Sequence, residues 1–403
     1  MTALSVPAFW VEDNSDPYPS YDRLRAEGAL LPHLLDDVPV TLVTRYDECA
    51  AVLTGADWGH GYSAGISPFR DTVAAIPGSF VRMDPPEHGR LRGLVNKAFT
   101  PRTVSEMVPL AQSVVDELVD AAMETGELDV LNGLAVPLAV AMIPGRLLGA
   151  PVSDGPLFRS WQLAIARGSD PDHLLSASDI ETRGLAAREA LGYFHQLIEQ
   201  KRANPTDDLL SELIAVEESG DQLSSQEILG LCVLLLVAGM ETSINLIGNG
   251  MLALLRNPAQ LALLRARPEL MASAIDEMLR YDAPTQFTIR VALTDTVVGD
   301  RQFRRGDGVV VLTASASRDD LVFDNAAELD ITRYYGKHPA RRHLGFSLGL
   351  HYCVGAPLAR IEAEAAFRTL LDRAPDLTLA TETVEYQPSL IHRGILSLPV
   401  RLS

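Results

Sequence analysis

Residues 345–360 read G-F-S-L-G-L-H-Y-C-V-G-A-P-L-A-R, and this stretch decides how the chain is to be read. It sets one cysteine, Cys353, in a glycine-punctuated loop immediately before a helical pattern. The helix is predicted to start at Ala356-Pro357, because proline suits a first helical turn. Ile361, Ala365 and Phe367 then follow at helical spacing. A sulfur just outside a helix N-terminus faces the positive end of the dipole and its unpaired N–H groups. That setting favours thiolate, the form that ligates metal. Gly349 and Gly355 let the backbone turn tightly, or approach a flat group, where a Cβ would clash. A lone cysteine is ordinarily a buried and inert residue. Phe346, Gly349, His351, Cys353 and Gly355, all within one short window, weigh against that simpler reading.

Outward from the loop, the most telling segment is the apolar run Ile228 to Met240, which leads into Ala238-Gly239-Met240-Glu241-Thr242-Ser243. Ser224 and Glu227 have the spacing of a capping box, and Asn257-Pro258 marks the far end. A helix over 225–256 would be roughly 48 Å long at 1.5 Å per residue, and its apolar character all round predicts burial. A membrane span is rejected because the run is shorter than the ~20 residues a bilayer needs and Glu241 interrupts it. Glycine weakens such a helix, and a buried carboxylate needs a partner or a shifted pKa. Gly239, Glu241 and Thr242 make sense together if the helix opens locally at this point. The plainer alternative is a threonine bonded back to the Ala238 carbonyl. Upstream, Asp84-Pro85-Pro86-Glu87-His88 opens a helix whose His88 and Arg92, four apart, share one face. Two converging donors of that kind suit a carboxylate, although such a pair is ordinarily solvated surface.

The Phe-x-x-Gly-x-His-x-Cys-x-Gly stretch resembles the haem-binding loop of the cytochrome P-450 family, and every specified position matches. Ser347 departs from it, standing where bacterial members usually carry glycine. The resemblance implies that Cys353 is the proximal thiolate ligand of haem iron, which favours O–O cleavage. Ala238, Gly239, Glu241 and Thr242 match the family's Ala-Gly-x-(Glu or Asp)-Thr. Thr242 would then hydrogen-bond the oxygen being activated, and Glu241 would belong to the relay that delivers protons. His88 and Arg92, with Arg290 from Thr288-Ile289-Arg290 and His351, are implied as anchors of the haem carboxylates. Phe346, Gly349, Gly355 and Ala238 would lie against the cofactor. Glu277 and Arg280 match the family's Glu-x-x-Arg, with Arg333 as partner, making a buried charged network beneath the thiolate loop that is structural. The matched motifs run in the family's order from Asp84 to Arg360.

The chain has 403 residues without a Pro/Gly/Ser linker, low-complexity block or internal repeat, so one unit over 1–403 is expected. Helical patterns cover Glu106 to Met123, Gly184 to Arg202, the long central segment, the stretch after Pro258 and one from Pro268 to before Pro284. Strand signals cluster at Val38 to Thr44, at Phe287 to Leu312 with an Asp307-Gly308 turn, and at Thr383 to Leu402. A mainly α chain with a minor β portion is what the cytochrome P-450 fold, a single haem-containing unit, would give. With 34 basic and 53 acidic residues the net charge is −19, which argues against nucleic-acid binding and suits a freely soluble protein. Met1 to Pro7 has neither the basic region nor the apolar core of a signal peptide. Cys49, Cys232 and Cys353 lie far apart, as in a reducing cytoplasm. No membrane partner is expected.

The resemblance therefore implies a haem-thiolate monooxygenase that uses haem b and dioxygen. One oxygen atom enters an organic small molecule and the other leaves as water. Ferredoxin and its reductase would supply electrons. Arg82, Arg90, Arg92, Lys97 and Arg102, with Lys337, Arg341 and Arg342, would form a basic docking patch steered by charge. Phe69, Ile76, Phe80, Leu235, Val237, Phe287 and Ile391 are the expected apolar substrate lining, which points to a sizeable, mostly apolar substrate; the resemblance to soluble bacterial members of the family implies a natural-product tailoring step. Two rivals are a peroxide-driven haem peroxygenase, which usually lacks the acid–threonine pair, and a non-catalytic haem-binding recruitment module, expected to lack the threonine or the haem ligands.

Overall fold

The structure, a computed structural model, describes residues 15–35, 38–69, 76–96, 99–170, 175–218 and 223–402. The chain opens with α1 (Tyr18–Glu27), β1 (Leu30–Leu35), β2 (Val38–Val43), α2 (Tyr46–Thr54) and β3 (Trp58–Gly59). A helical region follows: α3 (Glu87–Asn96), α4 (Pro101–Thr125), the short β4 (Glu127–Asp129), α5 (Val136–Val140), α6 (Gly155–Arg167), α7 (Ala177–Ala203), α8 (Leu209–Glu218), α9 (Ser225–Arg256), α10 (Pro258–Ala266) and α11 (Met271–Tyr281). Next come β5 (Thr288–Ala292), β6 (Thr296–Val298), β7 (Arg301–Phe303), β8 (Gly308–Val311) and α12 (Thr313–Ala316). The long α13 (Ala356–Arg373), β9 (Thr378–Leu379) and β10 (Pro399–Arg401) end the chain. It is mainly helical with a minor sheet portion.

The central helix α9 begins and ends where its local signals say it should. Ser224 Oγ accepts from the Glu227 amide while the Glu227 carboxylate takes the Ser224 amide, and Asn257 closes the other end. Both caps satisfy backbone groups that a helix end leaves open. The helix is apolar all round because it has neighbours all round, packing against α5, α6, α7, α11 and α13. Its most apolar 18-residue window has a mean hydropathy of 1.8, and the helix is long enough to cross a membrane, as is Val130–Leu147. The length argument against a span therefore fails. Burial replaces it: 67% of each apolar window lies inside the protein.

The five-stranded sheet runs β1-β2-β8-β5-β3, with β2 and β8 parallel and the other pairs antiparallel. Gly308-Val309-Val310-Val311 is buried throughout, as a strand covered on both faces must be. Its alternate side chains serve two different cores. Val309 and Val311 join Tyr46, Trp58 and Phe303, whereas Val310 joins Tyr18, Tyr21 and Phe287. The expected turn lies one step earlier, where the Asp307 amide donates to Arg304 O at 2.9 Å and Gly306 takes φ +95°. The expected strand region 383–402 contributes only β10 and two isolated bridges, Tyr386 with Ile395 and His392 with Thr285. The larger, helical core joins residues from Phe80 to Leu402.

Candidate active site

Cys353 sits as the loop pattern requires. Its amide donates to Phe346 O at 3.0 Å, and α13 begins three residues later with Pro357 in its first turn. Gly349 has φ +67°, and a Cβ there would lie 2.3 Å from Leu53 O, so only glycine fits. Gly355 is different, since its Cβ would stand an ordinary 3.9 Å from the sulfur. Burial pushes the Cys353 thiol up, while the Gly355 amide, the Arg92 guanidinium, the Ala356 amide and the Arg360 guanidinium pull it down. The expected donors are in place, and burial works against them.

The loop is held from below by α11. Glu277 and Arg280 are fully buried and meet at 2.7 Å, and Arg333 Nε closes on both Glu277 oxygens at 3.1 and 3.2 Å. Arg280 also donates to the carbonyls of Ser317, Ala326 and Glu328. A Cβ on Gly345 would come within 2.9 Å of Leu279 O, so the start of the loop lies directly on this helix. Asp276, one residue before Glu277, ties down Arg360 of α13 at 2.7 Å.

On the other side, α9 shows a narrow accessible stripe. Leu234 and Thr242 are half-buried and Ala238 is exposed, in a helix whose other faces are covered. Leu235 lies in the main core, one position off this stripe. The helix runs unbroken through Thr242, whose hydroxyl donates to Ala238 O at 2.8 Å. The expected local opening is thus not seen, and the back-bonded threonine is the observed geometry. Gly239 has another cause: a Cβ there would meet Ile143 Cδ1 at 2.7 Å. Glu241 is 1% exposed and fully engaged. Its carboxylate accepts from Gln162 and from Asn245, the latter at 2.9 Å, and pairs with Arg159 at 3.3 Å. Two of its three partners, Gln162 and Arg159, come from α6.

A cluster of imidazoles lies between α3, β5 and the cysteine loop. His88 is fully buried, and His351 stands with its ring 4.4 Å away. Both His88 nitrogens and His351 Nε2 lack a hydrogen-bond partner. Burial, with nearby guanidinium groups, lowers His88 to about 4 and His351 to about 2. Arg290 is 4% exposed and bonds Thr288 Oγ1 and Ile289 O. Burial, with Arg82 close by, lowers it to about 10. Arg92 grips the carbonyls of Leu350 and Tyr352 with its guanidinium. It ties α3 to the cysteine loop. Sequence reading missed His60, whose ring lies 4.9 Å from His351. It also missed Glu362 on α13, fully buried beside Ser243, whose carboxyl burial pushes up to about 7. The signal available for His60 was its place between two glycines.

Buried nitrogens without partners, gathered beside guanidinium groups, fit a bound polyanion, and a haem with its two carboxylates meets that need. Cys353 would hold the iron, and His88, His351 and Arg290 would face the carboxylates. The iron supplies dioxygen binding and reduction, tuned by the thiolate. The protein's own contribution is the set of amide and guanidinium donors around the sulfur, the accessible hydroxyl of Thr242 and the carboxylate network of Glu241.

The expected substrate lining divides. Ile76 is half-buried against Gly230 of α9, and Val237 and Ile391 are half-buried beside the cores. Phe80 and Leu235 are buried in the helical core and Phe287 in a sheet core, while Phe69 packs on β8 at Gly308. The basic docking patch is thinner than its sequence. Arg90 pairs with Glu227, Arg102 with Glu106 and Arg341 with Asp47, and Lys97 lies outside the described residues.

Residues 186–383 match the family model for cytochrome P450. The chain is 40% identical over 405 residues to the cytochrome P450 monooxygenase PikC of Streptomyces venezuelae, across 99% of this chain and 94% of that one. It is 33% identical to the polyketide biosynthesis cytochrome P450 PksS of Bacillus subtilis (strain 168), covering 97% of each. Among solved structures, P450BioI in complex with an acyl carrier protein bearing hexadec-9Z-enoic acid superposes with a TM-score of 0.86. That match has 34% identity and covers 97% of this chain and 99% of that one. The chain therefore belongs to the cytochrome P450 family and is an oxygen-incorporating, haem-dependent oxidoreductase.

Proposed function

We propose that this chain is a haem b-thiolate monooxygenase, acting as one unit in the cytoplasm. It inserts one oxygen atom from dioxygen into a sizeable, mostly apolar organic molecule, as a hydroxylation or epoxidation in natural-product biosynthesis. The observation that carries this reading is the accessible Leu234–Ala238–Thr242 stripe within an otherwise buried helix. It offers an apolar wall with one hydroxyl, which suits a substrate held by shape and a reaction needing one local proton donor. Ile76, Val237 and Ile391, all half-buried, are the favoured lining residues, with Phe69, Phe80, Leu235 and Phe287 supporting them from the cores. Relatives named for polyketide and biotin biosynthesis support a tailoring role.

Cys353 is the iron ligand in this reading. His88, His351 and Arg290 meet the carboxylates, and Arg92 fixes the loop. Phe346, Gly349, Gly355 and Ala238 lie against the macrocycle. Thr242 donates its hydrogen bond at the oxygen site after leaving Ala238 O, and Glu241, held in place by Arg159 and Gln162, belongs to the relay that delivers protons. Electrons come from a ferredoxin and its reductase at the face where Leu350 is 49% exposed and Arg342 lies over the Tyr352 ring. Retention of both Glu241 and Thr242 favours this reading over the peroxygenase and the non-catalytic module.

The deciding experiment is the carbon monoxide difference spectrum of the dithionite-reduced protein. A strongly red-shifted Soret band in the wild type, abolished in Cys353→Ala, is the expected result. Absence of that band from haem-replete protein would remove the ligand assignment and the mechanism with it.

A further inference from the structure

The segment Trp58-Gly59-His60-Gly61 is built to press one imidazole into the carboxylate-binding cluster. A Cβ on Gly59 would lie 2.2 Å from Asp84 Oδ1 and 2.8 Å from Leu293 Cδ1, and Gly61 takes φ +70°. Neither position accepts another residue without a shift. The Asp84 carboxylate accepts the His60 amide on one oxygen and the Gly61 amide on the other, each at 2.7 Å. Asp84 is thereby committed to fixing the turn. His60 emerges 1% exposed, edge-on to His351 at 4.9 Å and stacked with Tyr62 at 6.3 Å. Neither of its ring nitrogens has a hydrogen-bond partner.

A neutral imidazole carries one donor and one acceptor, and buried polar groups are rarely left unpaired. Among the described residues, the charges that act most strongly on His60 come from Arg290, Arg82, His351 and His88. A metal cation would be repelled by the two guanidinium groups, whereas a carboxylate would be attracted by them. His351, one of the rings already assigned to the haem carboxylates, touches His60 directly.

We propose that His60 is a further haem-binding residue, its imidazole N–H donating a hydrogen bond to a carboxylate of the cofactor beside His88 and His351. This rests on the haem-thiolate reading above. It adds to the anchoring set a residue that lies outside the matched motifs and is delivered by a glycine-flanked turn.

The test uses substrate-free ferric holoenzyme, so that no substrate carboxylate contributes. The wild type, His60→Phe and His60→Asn are compared by the rate of haem loss to excess apomyoglobin and by the propionate bending bands in resonance Raman spectra. Phenylalanine keeps the ring contacts with His351 and Tyr62 but has no donor, and asparagine restores a donor without the ring. Loss of one hydrogen bond to a charged group predicts haem release faster by roughly ten-fold or more in His60→Phe. A shifted propionate band is expected in that variant, and both readouts should return toward wild type in His60→Asn. Unchanged release and bands in His60→Phe would overturn the proposal. So would an asparagine variant as impaired as phenylalanine, which would make the ring merely a packing element. If His60→Phe yields no holoenzyme, the propionate bands of His60→Ala against wild type decide alone, a lost or shifted hydrogen-bonded band supporting the proposal and unshifted bands refuting it. A wild type without the red-shifted carbon monoxide band would instead bring down the underlying haem-thiolate reading, a failure distinct from these.

Discussion

Ser347 offers a prediction whose sign is unusual. It occupies the left-handed region at φ +60°, and its amide closes a turn onto Leu344 O at 2.8 Å. A side chain in that conformation costs about 1–2 kcal/mol. Glycine relieves the cost but loses about 0.5–1 kcal/mol through the freedom of the unfolded chain. The net gain of glycine over alanine is therefore about 0.5–1 kcal/mol. Ser347 Oγ is also buried without a partner, and removing an unsatisfied hydroxyl gains about 1 kcal/mol. The expected order of stability is Ser347→Gly above Ser347→Ala above wild type, with about 1.5–2 kcal/mol between the ends. Urea unfolding of equally haem-loaded proteins reads this as shifts in midpoint at unchanged slope. Where φ is ordinary, glycine is the less stable of the pair by about 0.5–1 kcal/mol. An alanine variant equal to or more stable than the glycine one would therefore refute the reasoning.

Glu277→Gln leaves Arg280 and Arg333 buried without their counter-charge, and a loss of about 3–5 kcal/mol is expected in the same urea assay. A loss below about 1 kcal/mol would show that the backbone carbonyls alone hold the two guanidinium groups. Glu362 has a folded value near 7 against 4.5 for the unfolded chain, so the folded state binds the extra proton between them. Stability from this group is full below about 4.5 and is lost as pH rises through about 7. Glu362→Gln should match wild type at pH 4 and exceed it by up to about 3 kcal/mol at pH 8, and a pH-independent difference between the two would contradict this. Thr242→Ala should keep haem and the carbon monoxide band while diverting reducing equivalents into hydrogen peroxide, measured as peroxide formed per NADPH consumed with the redox partners supplied. Full product yield from that variant would remove Thr242 from proton delivery.

Much of this molecule was legible because its signals are local. The ends of α9 were readable to the residue, since Ser224, Glu227 and Asn257 act on backbone groups within one turn of themselves. Glu277 and Arg280 were readable as a pair because three residues make one helical turn. The loop around Cys353 was readable because Gly349 answers a steric demand at its own position. Helix α6 left little trace, being short and without a cap bond from its own side chain, yet it supplies two of the partners of Glu241.

The sequence by itself thus determined the ends of the long central helix, where the cysteine loop begins α13, and that an acid and a threonine share one buried helix. Those properties follow from backbone capping, apolar periodicity and the conformational freedom of glycine, all of which act over a few residues. The tertiary structure alone decided that Arg92 grips loop carbonyls, that Glu241 faces Gln162 and Arg159, and that Ser347 must adopt a left-handed backbone. It alone brought His60 against His351 and His88. Contacts between residues so far apart in the chain depend on which elements pack together, and no short-range preference encodes that choice.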